Sequence, residues 1–376
     1  MKKQPQSSSG KAINGVSRRQ FMAGLSAIAF AAGSGSIYAS SLWSKGSETI
    51  AERDKDVPLI GLEEHFATPE MQKLNHIKFP PGYPRFDIND VGAGRIAHMD
   101  QAGLNIQVLS ALTPGPQNLP GQEGIQYARR LNNWLAQEVI PAYPDRFRGF
   151  AGLPLKEPEA AAGELERCVK ELGFLGCMTY GAVDGKFLDH PEFEPVLAKA
   201  EALNVPIYIH PNWASKEAMD LYYDDLGDPL VSKVSSGAGY GWHQEIALQS
   251  LRMIVSGVFD KFPKLQIIIG HMGEGLPFFY WRFGDDLANV TRNKLNKPVQ
   301  QYIHDNFWIT TSAFFRTELL QLVLSVMGED RVLFSTDYPF VSAIEGAEWF
   351  RGVDLPRTTK EKIAYQNAEK LLGISV

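Results

Sequence analysis

Cysteine is scarce in this chain, with only Cys168 and Cys177 in 376 residues. That scarcity excludes a disulfide-stapled scaffold and a thiolate zinc site, both of which need clustered cysteines. Cys168 falls on an expected helix and Cys177 on the next strand. A disulfide between them is open but not required, and two buried thiols are the simpler expectation. Positive charge is not in excess either: the formal net charge is −6 and no basic stripe stands out. Nucleic acid is therefore excluded as a partner, which leaves a small molecule. No glycine-rich phosphate loop follows the first strand, as it would in an open doubly wound sheet. The N-terminal apolar run Phe21 to Ala32 is too short to span a bilayer.

What is present is a regular alternation of strand and helix. Hydrophobic residues make up 44% of the chain and charged residues 21%, ordinary globular usage that supports a sizeable core. Strands are expected at 57–66, 106–112, 147–155, 174–180, 205–210, 265–271, 307–312 and 331–336. Helices are expected at 121–140, 158–172, 191–203, 243–259, 276–290, 316–327, 342–350 and 359–372. The strands are near-continuous apolar runs, as parallel strands covered on both faces must be. Eight of them in roughly 330 residues point to an α/β chain folded as a (β/α)8 TIM barrel, with 67–100 and 211–242 as insertions over its mouth.

Three strings far apart in the chain each end such a strand: Glu63-Glu64-His65, Ile209-His210-Pro211 and Ser335-Thr336-Asp337. A fourth strand ends in Gly270-His271-Met272-Gly273-Glu274. Side chains two apart on a strand share a face, so Glu63 and His65 point to the barrel axis while Glu64 points away. Strand eight lies beside strand one in a closed barrel, so Glu63, His65, His210 and Asp337 can converge. One Glu, two His and one Asp form a mixed nitrogen and oxygen set for one divalent metal, with zinc favoured and manganese or magnesium tolerated. His271 is either a fifth ligand or a general acid/base. Glu274, three residues on, either holds His271 or caps the next helix.

The N-terminus is set apart from the barrel. Lys2, Lys3, Ser17-Arg18-Arg19-Gln20-Phe21-Met22 and the apolar run behind them resemble a twin-arginine export signal. Cleavage near Ala31 or Ala39 is expected, with no lipobox cysteine following. Residues 1–45 are thus expected as leader and linker, 46–376 as a single barrel domain, and the product as a soluble periplasmic protein without a membrane anchor.

The strings around the expected ligands carry a resemblance. Leu62-Glu63-Glu64-His65-Phe66-Ala67, Tyr208-Ile209-His210-Pro211, Phe259-Asp260-Lys261-Phe262-Pro263-Lys264, His271-Met272-Gly273-Glu274-Gly275-Leu276-Pro277 and Ser335-Thr336-Asp337-Tyr338-Pro339-Phe340 resemble the decarboxylase branch of the amidohydrolase superfamily. The γ-resorcylate and 2,3-dihydroxybenzoate decarboxylases are its relevant members, and the likeness spans about residues 58 to 374. It implies one divalent metal on Glu63, His65, His210 and Asp337, with Asp337 also delivering a proton to the substrate and His271 and Glu274 assisting. Binuclear hydrolases of the superfamily place His-x-His on strand one and a bridging Lys or Glu on strand four, and this chain has neither.

The expected activity is therefore non-oxidative decarboxylation of a hydroxylated aromatic or related unsaturated carboxylic acid. The alternative is a single-metal hydrolase of a lactone, ester or amide using metal-activated water. Phe66 and Phe340, just after ligands, are expected to line an aromatic slot. Arg282 matches an arginine that approaches the substrate near a subunit contact, and the resemblance implies a homodimer or homotetramer. Three departures lie near the mouth: Ala313-Phe314 where Gly-Asn is expected, Asn212 where Arg is expected, and Phe283-Gly284-Asp285-Asp286 after Arg282. They leave the ligand set intact and bear on the choice of substrate.

Overall fold

Apolar strands alternate with amphipathic helices from Ile60 to the C-terminus in a computed structural model that describes residues 54–79 and 82–376. The expected export signal and the boundary after residue 45 lie outside the described residues. The strand segments are β1 (Ile60–Phe66), β2 (Ile106–Ala111), β3 (Phe147–Gly149), β4 (Ala151–Gly152), β5 (Cys177–Tyr180), β6 (Ile207–His210), β7 (Ile267–Ile269), β8 (Phe307–Thr310) and β9 (Val332–Leu333). β3 and β4 are pieces of one run interrupted at Phe150, so the segments form eight staves. Each pairs in parallel with the next. The ring closes between the first and last staves: the His65 amide donates to Tyr338 O at 2.7 Å and the Asp337 amide to Glu63 O at 3.0 Å. The fold is the expected parallel (β/α)8 barrel.

Both faces of the staves are buried, which explains their apolar runs. Ile60, Leu62, Ile106, Val108, Phe150, Tyr208, Ile268 and Trp308 fill the barrel interior, which Ala368 and Leu372 of the last helix close from below. Ile207, Ile209, Ile267, Ile269 and Phe307 face outward against the helices. Cys168 and Cys177 lie unpaired in this outer layer, and burial pushes the Cys177 thiol up to about 12. The insertions over the mouth carry helices that the sequence pattern did not announce, among them Pro69–Leu74, Lys216–Tyr223 and Pro229–Ser236.

Simple alternation does not account for β1. Its register with β2 slips between Gly61 and Glu64, a β-bulge that lets Leu62 face the interior and Glu63 do the same one residue later. The bulge leaves two adjacent N–H groups without ladder partners, and Ser335 Oγ accepts both, from Leu62 at 3.1 Å and Glu63 at 2.6 Å. Ser335 in turn donates to Glu64 Oε1 at 3.2 Å. Glu64, turned outward, also accepts from the Thr336 amide at 3.0 Å and from Gln107 Nε2 at 3.0 Å. Burial pushes its carboxyl up to about 7 against these bonds.

Removing the Ser335 hydroxyl strands two buried amides, each costing about 1–3 kcal/mol if unsatisfied. Ser335→Ala is therefore expected to destabilise the protein by at least about 1–3 kcal/mol in urea unfolding. A shift within experimental error would show that the bulge is held by something else.

Candidate metal centre and active site

The bulge and the closing stave deliver four side chains to one point above the Tyr208 layer. Glu63 and His65 come from β1, His210 from the end of β6 and Asp337 from the loop after β9; all are buried, and each offers a donor atom within 4.8 Å of the others. Glu63 Oε1 lies at the centre, 3.2 Å from His210 Nε2, 3.8 Å from His65 Nε2 and 3.6 Å from His271 Nε2. His65 Nε2 is 3.4 Å from Asp337 Oδ1.

Neighbouring groups orient the ring. His210 Nδ1 donates to Pro211 O at 2.7 Å, and because a carbonyl only accepts, the lone pair is left on Nε2, facing Glu63. Ser110 Oγ meets His65 Nδ1 at 3.1 Å. Tyr208 OH donates to Glu63 Oε2 and contacts Thr310 Oγ1 at 2.8 Å. The space for this contact exists because residue 270 is glycine: a Cβ there would lie 2.5 Å from Glu63 Oε2.

Within the ring of four residues, three buried atoms are without a hydrogen-bond partner: Glu63 Oε1, His65 Nε2 and Asp337 Oδ1. Acceptors facing one another in a dry cavity need a cation or protons between them. Burial pushes the Glu63 carboxyl up, but His271, His210 and His65 outweigh it and hold it well below the usual range. Burial lowers His65, while Asp337 and Glu63 more than reverse this and raise it to about 9. Burial lowers His210 below its ordinary value, which keeps its Nε2 lone pair available. The donor set, its tautomers and its orphaned atoms fit one divalent cation, which would relieve the same acceptors that otherwise draw protons onto His65.

A second group adjoins the first. His271 Nδ1 lies 2.6 Å from Glu274 Oε1, and His243 Nδ1 contacts Glu274 Oε2. Burial pushes the Glu274 carboxyl up, and His271 and His243 overcome this and hold it at about 2. His271, Met272 and Glu274 all take positive φ, at 48°, 56° and 56°, as does Asp337 at 64°. Left-handed backbone in four non-glycine residues around one site is strain that the surrounding packing must hold.

An amidohydrolase family model matches residues 76–374. The chain belongs to that family. This amidohydrolase is 39% identical over 335 residues to γ-resorcylate decarboxylase of Rhodococcus jostii, covering 84% of this chain and 98% of the relative. Among solved structures, 2,6-dihydroxybenzoate decarboxylase complexed with 2,6-dihydroxybenzoate is 36% identical, covering 84% of this chain and 99% of that one, with a TM-score of 0.77. Dihydroxybenzoic acid decarboxylase of Polaromonas sp. JS666, with bound manganese and the inhibitor 2-nitroresorcinol, has the same identity and TM-score and covers 84% of this chain and 97% of its own.

The walls of the amidohydrolase's site are aromatic, though not all the expected residues form them. The Phe340 ring lies 5.9 Å from that of His65 and packs on Tyr83 and Phe79 at 5.3 and 6.2 Å. Phe314 faces His271 at 5.5 Å, and Trp242 lies 6.4 Å from His210. Phe66 does not line this slot. It follows the inward His65, so alternation turns it outward, where it is buried against Trp134 at 5.5 Å. Arg282 is exposed on the helix Leu276–Thr291 and pairs with Asp286 at 2.6 Å, so within one chain it does not reach the ring.

A cavity of about 370 Å³ lined by Asn118, Asn212, Trp213 and Ser215 opens on the same rim. A larger one, about 670 Å³, lies at the opposite, N-terminal strand ends beside Pro58, Leu104 and Arg146, away from the ring. Sequence reasoning missed Tyr208, Ser110, His243 and Gly270. Only Tyr208 carried a signal, since it stands two residues before His210 and so shares its face.

Chelation of a bound cation should lower thermal stability measurably. At free metal a thousandfold above Kd the holo form gains about 4 kcal/mol, and calorimetry with EDTA should show that loss and its recovery on adding Mn²⁺ or Zn²⁺. An unchanged melting temperature in protein shown to have held metal would count against the site.

Proposed function

We infer that this amidohydrolase is a metal-dependent, non-oxidative decarboxylase of a hydroxylated aromatic carboxylic acid. The observation that carries the reading is the convergence of three partnerless buried acceptors, on Glu63, His65 and Asp337, with a fourth donor, His210 Nε2, beneath an aromatic slot. Glu63, His65, His210 and Asp337 would hold one divalent cation, which would supply positive charge for the substrate carboxylate and the adjacent phenol oxygen. Zinc is the finer expectation for that cation. The two-imidazole, two-carboxylate set accommodates manganese equally, in keeping with the Polaromonas relative.

Decarboxylation adds one proton to the ring carbon that bears the carboxylate and then breaks the carbon–carbon bond, whose electron pair restores the aromatic ring as CO2 departs. Asp337 is the residue proposed to hold and deliver that proton, because its carboxyl group is at the mouth side of the ring with one unbonded oxygen. Glu274 accepts the Nδ1 proton of His271 and so turns His271 Nε2 toward the ring, 3.6 Å from Glu63 Oε1 and 3.8 Å from Asp337 Oδ2, where it can position the phenol oxygen of the substrate. Phe340 and Phe314 flank the planar substrate and exclude water.

The proposal extends to assembly and location. Phe278 and Trp281, 73% and 67% exposed beside Arg282, support a homodimer or homotetramer in which Arg282 reaches a neighbouring site. The Ser17-Arg18-Arg19 motif supports export of the folded chain to the periplasm, and replacing Arg18 and Arg19 by lysine should retain it in the cytoplasmic fraction.

The deciding assay is CO2 release from a panel of 2-hydroxy- and 2,6-dihydroxybenzoates by metal-loaded protein. Wild type should turn over at least one member, and Asp337→Asn should lose roughly 10²–10⁴-fold or more in kcat. Ring opening of lactones without CO2 release would instead favour the hydrolytic alternative.

A further inference from the structure

His243 has no part in the proposed proton transfer, yet it is built into the site. It stands on the first turn of the helix Gly241–Val255, with a side chain 14% exposed, while Glu274 beside it is fully buried. Each oxygen of the Glu274 carboxylate is held by a different imidazole: Oε1 by His271 Nδ1 at 2.6 Å and Oε2 by His243 Nδ1. His243 Nε2 lies 3.1 Å from Ala238 O. Both ring nitrogens of His243 thus face oxygen acceptors, Nδ1 the Glu274 carboxylate and Nε2 the Ala238 carbonyl. The His243 ring also packs edge-on against His271 at 5.0 Å and Phe314 at 5.2 Å.

We infer that His243 is a positioning residue of the active site: it fixes the outer oxygen of Glu274, and Glu274 so held fixes the orientation of His271. Three observations carry this. A carboxylate between two imidazoles has one geometry that satisfies both oxygens, whereas with one imidazole it is free to rotate about its last bond. Glu274 sits at φ 56° in a turn of left-handed residues, so its backbone is not at rest and its side chain must be held by contacts. Finally, the Ala238 carbonyl belongs to the turn between the helix Pro229–Ser236 and the helix Gly241–Val255. His243 thus ties the insertion over the mouth to the residue that faces the substrate.

Without His243, Glu274 Oε2 would be a buried carboxylate oxygen with no donor. The carboxylate would be free to turn, and His271 would lose its fixed orientation. The substrate would still bind through the ring of Glu63, His65, His210 and Asp337, so the defect would appear in kcat rather than KM.

This inference rests on the decarboxylase reading for its kinetic arm and is independent of it for its spectroscopic arm. In metal-loaded protein carrying ¹⁵N-histidine, the hydrogen-bonded Nδ1–H resonance of His271, assigned by its loss in His271→Asn, should shift or vanish in His243→Leu. On a substrate that wild type decarboxylates, His243→Leu should lower kcat about 10–100-fold with KM nearly unchanged. His243→Asn, whose amide nitrogen falls near the place of Nδ1, should recover most of that loss, and His243→Gln, whose amide falls near Nε2, should not. Should His243→Leu fail to fold, the Asn and Gln pair decides alone. An unmoved His271 resonance, equal kinetic loss in Asn and Gln, or a loss confined to KM overturns the inference. An enzyme inert on every phenolic acid, with the resonance still displaced, overturns the decarboxylase reading alone.

Discussion

The seam between β1 and the last stave governs the rest of the molecule. There Ser335 Oγ takes the two amides freed by the β1 bulge, and Glu64 takes donors from Ser335, Thr336 and Gln107. One small region thereby closes the barrel, turns Glu63 inward out of simple alternation and sets Asp337 beside His65. A barrel closed one residue out of register would send both Glu63 and His65 into the outer apolar layer, because the period of a strand is two. The adjacency of a structural carboxylate, Glu64, and a site carboxylate, Glu63, follows from that constraint: the same chain reversal that orients one exposes the other to the lock.

Above the seam the site is a problem in buried charge. Four carboxylates lie within or beside the ring, in Glu63, Glu64, Glu274 and Asp337, and no lysine lies among the groups that contact them in the described residues. Imidazoles and hydroxyls carry the compensation. Glu64 has neutral donors and a nearby Arg95, and its carboxyl stays high. Glu274 has two imidazoles, and its carboxyl falls far. Glu63 and Asp337 each keep an oxygen that no protein group satisfies. That difference separates residues which complete their bonding within the fold from residues that need a further partner.

The walls carry the chain's individuality. Phe314 occupies a position where the sequence resemblance led one to expect a small polar residue, and it closes over both His271 and His243. Asn212 lines a cavity of about 370 Å³ at the same rim, next in the chain to Pro211 and His210. The slot is accordingly more apolar on one side and less basic on the other than the resemblance alone implied. Both changes lie in the walls and leave the charged ring as it is.

Much of this was legible in the linear chain. The eight apolar staves were, because parallel strands buried on both faces write continuous hydrophobic runs. So was the convergence of Glu63, His65, His210 and Asp337, because residues at the C-terminal strand ends of a barrel meet at one rim. Phe66 misled because chain proximity to His65 is not spatial proximity: adjacent strand residues face opposite ways, and it joins the outer core. Arg282 stands exposed and paired with Asp286, away from the ring of its own chain. Of the insertion helices, Lys216–Tyr223 buries none of its residues, so packing against the core does not account for it. Sequence by itself determined fold class and the chemistry of the ring, since both rest on local patterns of hydrophobicity and residue type. Only the tertiary structure decided that a bulge aims Glu63, that Tyr208 and Ser335 hold it there, and that His243 completes Glu274. Such hydrogen bonds join residues up to 273 positions apart and leave no trace in the spacing.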